Sequence, residues 1–106
     1  MEFEKIKKRF LPMSETMYYI LYSLQEERHG YGIMQYVKDL TGGRVVLGAG
    51  TIYQSLSKLE HDGLAAPAQE TGRRKEYRIT DTGREILRLE SRRICELYEI
   101  AKEVLA

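Results

Sequence analysis

Length, composition and charge restrict this chain to a small group of proteins. Its 106 residues are 42% apolar and carry a net charge of +1, which suits one small domain with one amphipathic helix to spare. No apolar run approaches the roughly 18 residues of a membrane span, and the charged start is unlike a signal peptide, so we expect a soluble cytoplasmic protein. The lone Cys95 excludes a disulfide within the chain.

The charge is distributed unevenly along the chain. Residues 1–13 sum to +2, residues 14–41 to −2, residues 42–80 to +2 and residues 81–106 to −1. Within the third of these segments, four cations stand close together against a single acid: Arg73, Arg74, Lys75 and Arg78 with Glu76. Such a cluster neutralises phosphates and releases counterions, so it favours nucleic acid as a partner.

The first predicted elements are a short arm and a helix. Residues 3–11 form an amphipathic stretch that Pro12 should end, which we interpret as an accessory arm. Ser14 is a suitable N-cap for a helix that continues to about Arg28. Its expected apolar stripe comprises Met17, Leu21 and Leu24, with Ile20 beside it.

A second helix is predicted from about Tyr31 to Leu40, ended by Gly42 and Gly43. Its expected core residues are Ile33, Val37 and Leu40. Residues 44–47 follow as a short extended segment before the next helix.

The third helix has one apolar face and one polar face. Ile52, Leu56 and Leu59 recur at spacings of four and three, and the opposite face is small and hydrogen-bonding. A helix of this kind can enter the major groove of DNA and present donors and acceptors to base edges. The predicted DNA-contacting residues of this helix are Gly50, Thr51, Tyr53, Gln54, Ser57, Lys58 and His61. For Tyr53, half-burial against the neighbouring strands is the competing interpretation.

Two strands, Leu64–Glu70 and Lys75–Ile79, are predicted to follow, joined at Thr71–Gly72. Pro67 restricts the first of them to the edge of a sheet. The alternation of side chains places Tyr77 and Ile79 towards the core and Arg74, Glu76 and Arg78 outward. This order of elements predicts a mainly α fold with a small β-wing, a winged helix-turn-helix, whose Arg73, Arg74, Lys75 and Arg78 contact the DNA backbone.

The last helix should start at Thr80 and continue to the chain end. Two series of residues, apolar except for Glu90, repeat every seven positions: Leu87, Ile94 and Ala101, and Glu90, Leu97 and Val104. A helix of about 25 residues cannot bury this seam against its own small domain, so we expect a partner chain to cover it. The predicted dimer-interface residues are Leu87, Ile94, Leu97, Ala101 and Val104. Folding back as a fourth core helix is the alternative.

Several motifs resemble those of the PadR family of bacterial transcriptional regulators. They are His29-Gly30-Tyr31-Gly32-Ile33, Gly50-Thr51-Ile52-Tyr53, Leu56 with Lys58-Leu59-Glu60 and Asp62-Gly63-Leu64, and Gly72-Arg73-Arg74-Lys75-Glu76-Tyr77-Arg78-Ile79-Thr80 with Gly83. The resemblance implies a winged helix-turn-helix DNA-binding domain with its arm over residues 1–79. Its likeness to the shortest members of the family implies a homodimer built on a dimerisation helix over residues 80–106.

Other functions have weaker support in the sequence. His29 and His61 lack partners at metal-ligand spacing, so we expect capping or solvent-facing roles and no metal, cofactor or enzymatic activity. Cys95 is interpreted as a packing residue, with redox sensing as the alternative. Six tyrosines could line an effector pocket like that of multidrug-sensing relatives, or could simply be core-edge residues: Tyr18, Tyr19, Tyr22, Tyr31, Tyr36 and Tyr98.

The sequence thus predicts a sequence-specific, homodimeric transcriptional repressor that acts by occluding its operator, with relief by a small-molecule effector left open. A winged-helix module that binds other proteins, without DNA contact, is the alternative.

Overall fold

The structure is a computed structural model that describes residues 2–71 and 74–106; the side chains of residues 69–71 and 74 also lie outside the description. The described elements, in chain order, are α1 (Phe3–Phe10), α2 (Glu15–Ser23), β1 (Arg28–His29), α3 (Gly30–Leu40), α4 (Ala49–His61), β2 (Ala65–Thr71), β3 (Arg74–Ile79) and α5 (Asp81–Leu105). This arrangement is mostly helical with a small antiparallel sheet, and it confirms the predicted winged helix-turn-helix with a long C-terminal helix.

Local hydrogen bonds fix where the helices begin. Ser14 Oγ accepts a hydrogen bond from the backbone N–H of Met17 at 3.1 Å, and Thr80 Oγ1 accepts one from Gly83 at 3.0 Å. Each satisfies a backbone donor that the first turn of a helix leaves without a partner. Ser14 is therefore an N-cap, as predicted, and Thr80 is the cap of α5 rather than its first residue.

The end of α4 requires a glycine. Gly63 adopts a φ of +82°, and the N–H of Leu64 donates back to the carbonyl of Leu59 at 2.8 Å. A side chain at position 63 would be strained in this left-handed conformation. The turn stops α4 abruptly and directs the chain into β2.

The sheet contains one strand more than the sequence predicted. Its order is β1-β3-β2, with both pairings antiparallel. Arg28 pairs with Tyr77 and His29 with Glu76, although we expected the first helix to reach Arg28. Pro67 lies in the edge strand β2, as predicted, and a register irregularity follows it.

The early end of α2 corrects the predicted helix and has a physical cause. The Arg28 Nε–H donates to the carbonyl of Ser23 at 2.8 Å, and the carbonyl of Leu24 accepts from the N–H of Ile79 at 2.9 Å. The chain after Ser23 is therefore held by β3 rather than by a further helical turn.

The core lies where α2, α3, α4 and the first half of α5 meet the sheet. Its fully buried residues include Ile20, Leu21, Leu24, Ile33, Val37, Ile52, Leu56, Leu59, Leu64, Ile79 and Ile86. One expected core residue is wrong: Leu40 is 48% exposed. Its position follows the 3.6-residue periodicity, but the last turn of α3 extends beyond the core, so about half of its surface stays in water.

The two halves of α5 have different environments. Ile86, Leu87 and Glu90 are buried against the rest of the chain, whereas every residue from 94 to 106 is exposed. Leu87 therefore departs from the predicted seam, because only 7% of its surface is left for a partner. The start of α5 packs closely on the wing, since a Cβ at Gly83 would lie 2.1 Å from the carbonyl oxygen of Leu64.

Candidate nucleic-acid interface

The polar face of α4 is open to solvent along its length. Ile52, Leu56 and Leu59 are at most 1% exposed and fix the rotation of the helix. That rotation leaves all seven predicted DNA-contacting residues of the helix exposed: Gly50, Thr51, Tyr53, Gln54, Ser57, Lys58 and His61. The face presents amide, hydroxyl, imidazole and ammonium groups that can hydrogen-bond to base edges or phosphates.

Tyr53 packs against the start of α3. A Cβ built on Gly30 would lie 2.6 Å from the Tyr53 hydroxyl oxygen, so the phenol lies over the start of α3. Because Tyr53 is still 46% exposed, its outer edge is accessible. Because Gly30 has no side chain, the Tyr53 phenol has room to lie there. This contact gives a structural reason for the glycine in the His29-Gly30-Tyr31 motif.

An ion pair between described residues joins the wing to α4. The Lys75 Nζ lies 3.6 Å from Glu60 Oε1 and 5.2 Å from the centre of the Tyr77 ring. The Tyr77 phenol, followed by the Glu60 carboxylate, raises the pKa of Lys75. Lys75, predicted as a phosphate contact, is therefore partly occupied in holding the wing beside α4.

The remaining wing cations differ in what the structure describes. Arg78 is exposed, as the strand alternation predicted, and Tyr77 and Ile79 face the core. Arg73 and the side chain of Arg74 lie outside the described residues, as does the predicted turn at Gly72. Their contribution to binding remains a prediction.

The two histidines contribute differently. His29 Nδ1 accepts a hydrogen bond from the N–H of Gly32 at 3.1 Å and caps α3, which confirms a capping role. His61 Nδ1 lies 3.3 Å from Asp62 Oδ1, and its side chain is 77% exposed at the end of the α4 polar face. His61 is thus positioned for an outside partner and His29 for a structural task.

Contacts between α1 and α4 were not anticipated from the sequence. The Arg9 Nη2 lies 3.0 Å from Oδ2 of Asp62, whose side chain is fully buried at the C-terminus of α4. The angles between Arg9 and Asp62 do not fit a hydrogen bond to Oδ2, so the two side chains form an ion pair without one. The Lys58 Nζ lies 5.0 Å from the centre of the Phe10 ring. No local pattern indicates these contacts, because the partners are about fifty positions apart.

The tyrosines lie mainly at the edge of the core. Tyr18, Tyr22 and Tyr36 form a stacked row with ring centres 6.1 and 6.4 Å apart, and the Arg28 guanidinium carbon lies 3.9 Å from the centre of the Tyr36 ring. Tyr31 is exposed. Beside the row, a cleft of about 310 Å³ opens between α2 and α5, lined by Tyr22, Gln25, Arg84, Leu87, Arg88 and Ser91.

The second half of α5 leaves its apolar side chains partly or largely exposed. Ile94 is 39% exposed and Leu97 51%, and the exposure increases to 83% at Val104. The other exposed residues on this part of the helix include Cys95, Tyr98, Ile100, Ala101 and Leu105. Among monomeric proteins such a continuous apolar surface is uncommon and marks an interaction site.

The described part of the chain offers neither a membrane span nor a cluster of metal ligands. No helix there combines the length and apolar content needed to cross a bilayer. No three His, Cys, Asp or Glu side chains of residues 2–71 and 74–106 are grouped closely enough to hold a metal ion.

Comparison with known proteins places the chain among bacterial regulators. The sequence profile of the PadR-like family of transcriptional regulators matches residues 16–89. The transcriptional regulator YqjI of Escherichia coli is 30% identical over 94 residues, which cover 88% of this chain and 45% of that protein. The chain spans less than half the length of the curated relatives that it matches.

Solved structures agree with the profile. A PadR family regulator from Eggerthella lenta superposes with a TM-score of 0.74 at 25% identity, covering 96% of this chain and 87% of that one. Bacillus subtilis PadR, solved in complex with operator DNA, superposes with a TM-score of 0.62 at 30% identity, covering 71% of this chain and 46% of that one. The chain described here belongs to the PadR-like family of transcriptional regulators.

Proposed function

We propose that this regulator binds DNA as a homodimer, with α4 of each subunit in the major groove and the wing on the adjacent backbone. The observation that carries the proposal is the exposed polar face of α4, since burial of Ile52, Leu56 and Leu59 leaves every predicted base-contacting side chain accessible. Gln54 can pair bidentately with adenine, and Thr51 and Ser57 can bond to either donors or acceptors.

The family supports the nucleic-acid partner. Bacillus subtilis PadR shares this fold and was solved on its operator. The exposed Arg78, together with Arg73 and Arg74 of the predicted wing cluster, supplies the positive charge that phosphate contacts require. A module that binds only proteins would not need this combination of cations and small polar residues.

The dimer is proposed from the second half of α5. Ile94, Leu97 and Val104 repeat at heptad spacing and are exposed in the single chain, so a second copy packed along this helix would remove them from water. The same symmetry would place two recognition helices on one side of the DNA, with half-sites about 34 Å apart.

We propose repression by occlusion, because a dimer bound across two half-sites blocks access to the same DNA. A small-molecule effector would act at the cleft beside Tyr22, where a ligand between α2 and α5 would change the distance between the two recognition helices.

Selection from a pool of random duplexes by the wild-type protein tests the proposal. We expect an inverted repeat with half-site centres about one helical turn apart. Arg74→Ala should weaken binding to every duplex similarly. It should also reduce the salt slope, meaning the steepness with which the logarithm of affinity falls against the logarithm of salt concentration, by about one for each subunit. Recovery of no enriched sequence, or binding without salt dependence, would contradict DNA recognition by α4 and the wing.

A further inference from the structure

The N-terminal helix α1 is attached to the side of α4 that carries the proposed DNA contacts. Phe10 lies under the ammonium of Lys58, and Arg9 reaches Asp62, the residue after His61. Ile6 and Phe10 are buried, at 5% and 3% exposure, so the helix is packed in place. The last turn of α1 is therefore within a side-chain length of Lys58, a proposed DNA contact.

The outer surface of α1 is strongly basic. Its eight residues carry Lys5, Lys7, Lys8 and Arg9 against Glu4 alone. Lys7 pairs with Glu4 at 3.2 Å, and Arg9 pairs with Asp62. Lys5 and Lys8 are exposed, and among the side chains that the structure describes neither has a carboxylate within ion-pair distance.

These two lysines lie on one face of the helix. They are three positions apart, and Arg9 follows Lys5 by four, so all three side chains project on the same side. Arg9 indicates which side this is, because its guanidinium points towards the end of α4 beside His61. The basic face of α1 therefore meets α4 at its C-terminal end, where Arg9 reaches Asp62 and Phe10 contacts Lys58.

We propose that α1 is a second phosphate-binding element, in which Lys5 and Lys8 contact the DNA backbone beside the groove that receives α4. The inference rests on the proposed DNA binding. Charge complementarity favours this occupant, since the exposed surface of α1 offers ammonium groups while its apolar residues face inward.

The test is the double variant Lys5→Gln with Lys8→Gln, measured on the selected duplex and on an unselected duplex. Affinity for both should fall by the same factor, because phosphate contacts carry no sequence information. The salt slope should decrease by about two for each bound subunit. When salt is raised from about 50 to 200 mM, the variant should therefore lose about tenfold less affinity per bound subunit than the wild type loses.

Two further variants isolate the position and the charge. Arg92→Gln with Lys102→Gln removes the same charge from exposed sites on α5 and should leave the slope near the wild-type value. Lys5→Arg with Lys8→Arg keeps the charge on α1 and should restore the wild-type slope. Urea unfolding of each variant should match the wild type, since the replaced side chains are exposed.

The outcomes separate this inference from the function beneath it. If the wild type binds DNA and Arg74→Ala reduces the slope, but the α1 double variant behaves like the α5 control, α1 does not contact DNA. If the wild type itself shows no salt-dependent binding to either duplex, the proposed function fails first.

Discussion

The exposed face of α4 and the exposed end of α5 differ in chemistry although both are helix surfaces of one small chain. On α4 the accessible residues are mainly polar, including Gln54 and Ser57, and the aliphatic Ile52, Leu56 and Leu59 are buried. On α5 the accessible residues include Ile94, Leu97 and Val104. The first surface can remain in water until a polar partner replaces it, whereas the second gains free energy whenever another apolar surface covers it.

The difference indicates how recognition and assembly are divided. The half of α5 that touches the domain, around Ile86 and Leu87, gives the helix a fixed direction, and residues 94–106 extend from it with no described cover. A polar surface for DNA and an apolar surface for a second copy can thus be changed separately. The predictions below use that separation.

The largest effect should come from charging the apolar end of α5. Ile94→Glu with Leu97→Lys would replace two apolar contacts in each copy of the interface by charged side chains that lose their hydration on burial, so the protein should become monomeric or weakly associating. Affinity for a two-half-site operator should then fall by about a hundredfold or more, because the half-sites are no longer bound as a linked pair. Sedimentation and titration of the duplex measure the two effects.

The matched control exchanges charges on the opposite side of the same helix. Arg92→Glu with Glu99→Lys leaves the heptad seam intact and should remain dimeric. Dissociation of this control, or a dimeric Ile94→Glu, Leu97→Lys protein, would argue that the seam is elsewhere.

The packing of α5 on the wing, which links the two surfaces, should be disrupted by a side chain at Gly83. A Cβ there would lie 2.1 Å from the Leu64 carbonyl oxygen, so Gly83→Ala forces α5 away from the wing and should lower the free energy of unfolding by about 1–3 kcal/mol. Gly50→Ala, also in the first turn of a helix but with open space around it, should be neutral or slightly stabilising. Equal urea midpoints for the two variants would rule out close packing at Gly83.

A change confined to the polar face should affect sequence preference alone. Gln54→Ala should relax selection at one or two base pairs by about 1–3 kcal/mol, leaving dimerisation and non-specific binding intact. Gln25→Ala, at an exposed glutamine next to the α2 and α5 cleft, serves as the control and should leave selection unchanged. An unaltered preference in the Gln54 variant would assign base recognition to Thr51, Ser57 or Lys58.

The smallest effect should be seen in acid, at the buried start of α5. Glu90 is 1% exposed, and its carboxylate accepts hydrogen bonds from Arg93 and from the backbone N–H of Met13. These hydrogen bonds lower the pKa of the Glu90 carboxyl, and they outweigh burial, which acts to raise it. A carboxyl whose pKa is lower in the folded than in the unfolded protein stabilises the fold at pH values above its unfolded-state pKa. This stabilisation is lost as the pH falls through the folded-state pKa. Wild-type stability should therefore decline below about pH 4.

In Glu90→Gln this part of the pH dependence should be missing, while Glu96→Gln, at an exposed position, should keep it. Unfolding by urea at several pH values gives the comparison. If the free energy of unfolding changed with pH in the same way for the wild type and Glu90→Gln, the Glu90 carboxyl would not be the source of the acid sensitivity.

The features that the sequence predicted well are local ones. The stripe of Ile52, Leu56 and Leu59 defines α4 because side chains three and four apart share a face in any helix. Ser14 was identified as a cap for a similar reason, since its oxygen bonds to a backbone group three residues away. The wing was predicted from alternation and turn residues that are adjacent in the chain.

The features that it missed depend on distant partners. β1 exists because Arg28 pairs with Tyr77, and two residues carry no strand pattern of their own. Glu90 occupies a seam position by spacing, yet it faces inward to accept from Met13. Leu40 satisfied the periodicity but lies beyond the reach of the core. The contact between Arg9 and Asp62, on which the role of α1 depends, is of the same non-local kind.

The most direct test of the account is the molar mass of the wild-type protein, free and bound to its selected duplex, measured by light scattering. One chain weighs 12.4 kDa, and we predict two chains in the free protein and two on each duplex. A free monomer together with a single chain per duplex would contradict the proposal that the end of α5 joins two recognition helices.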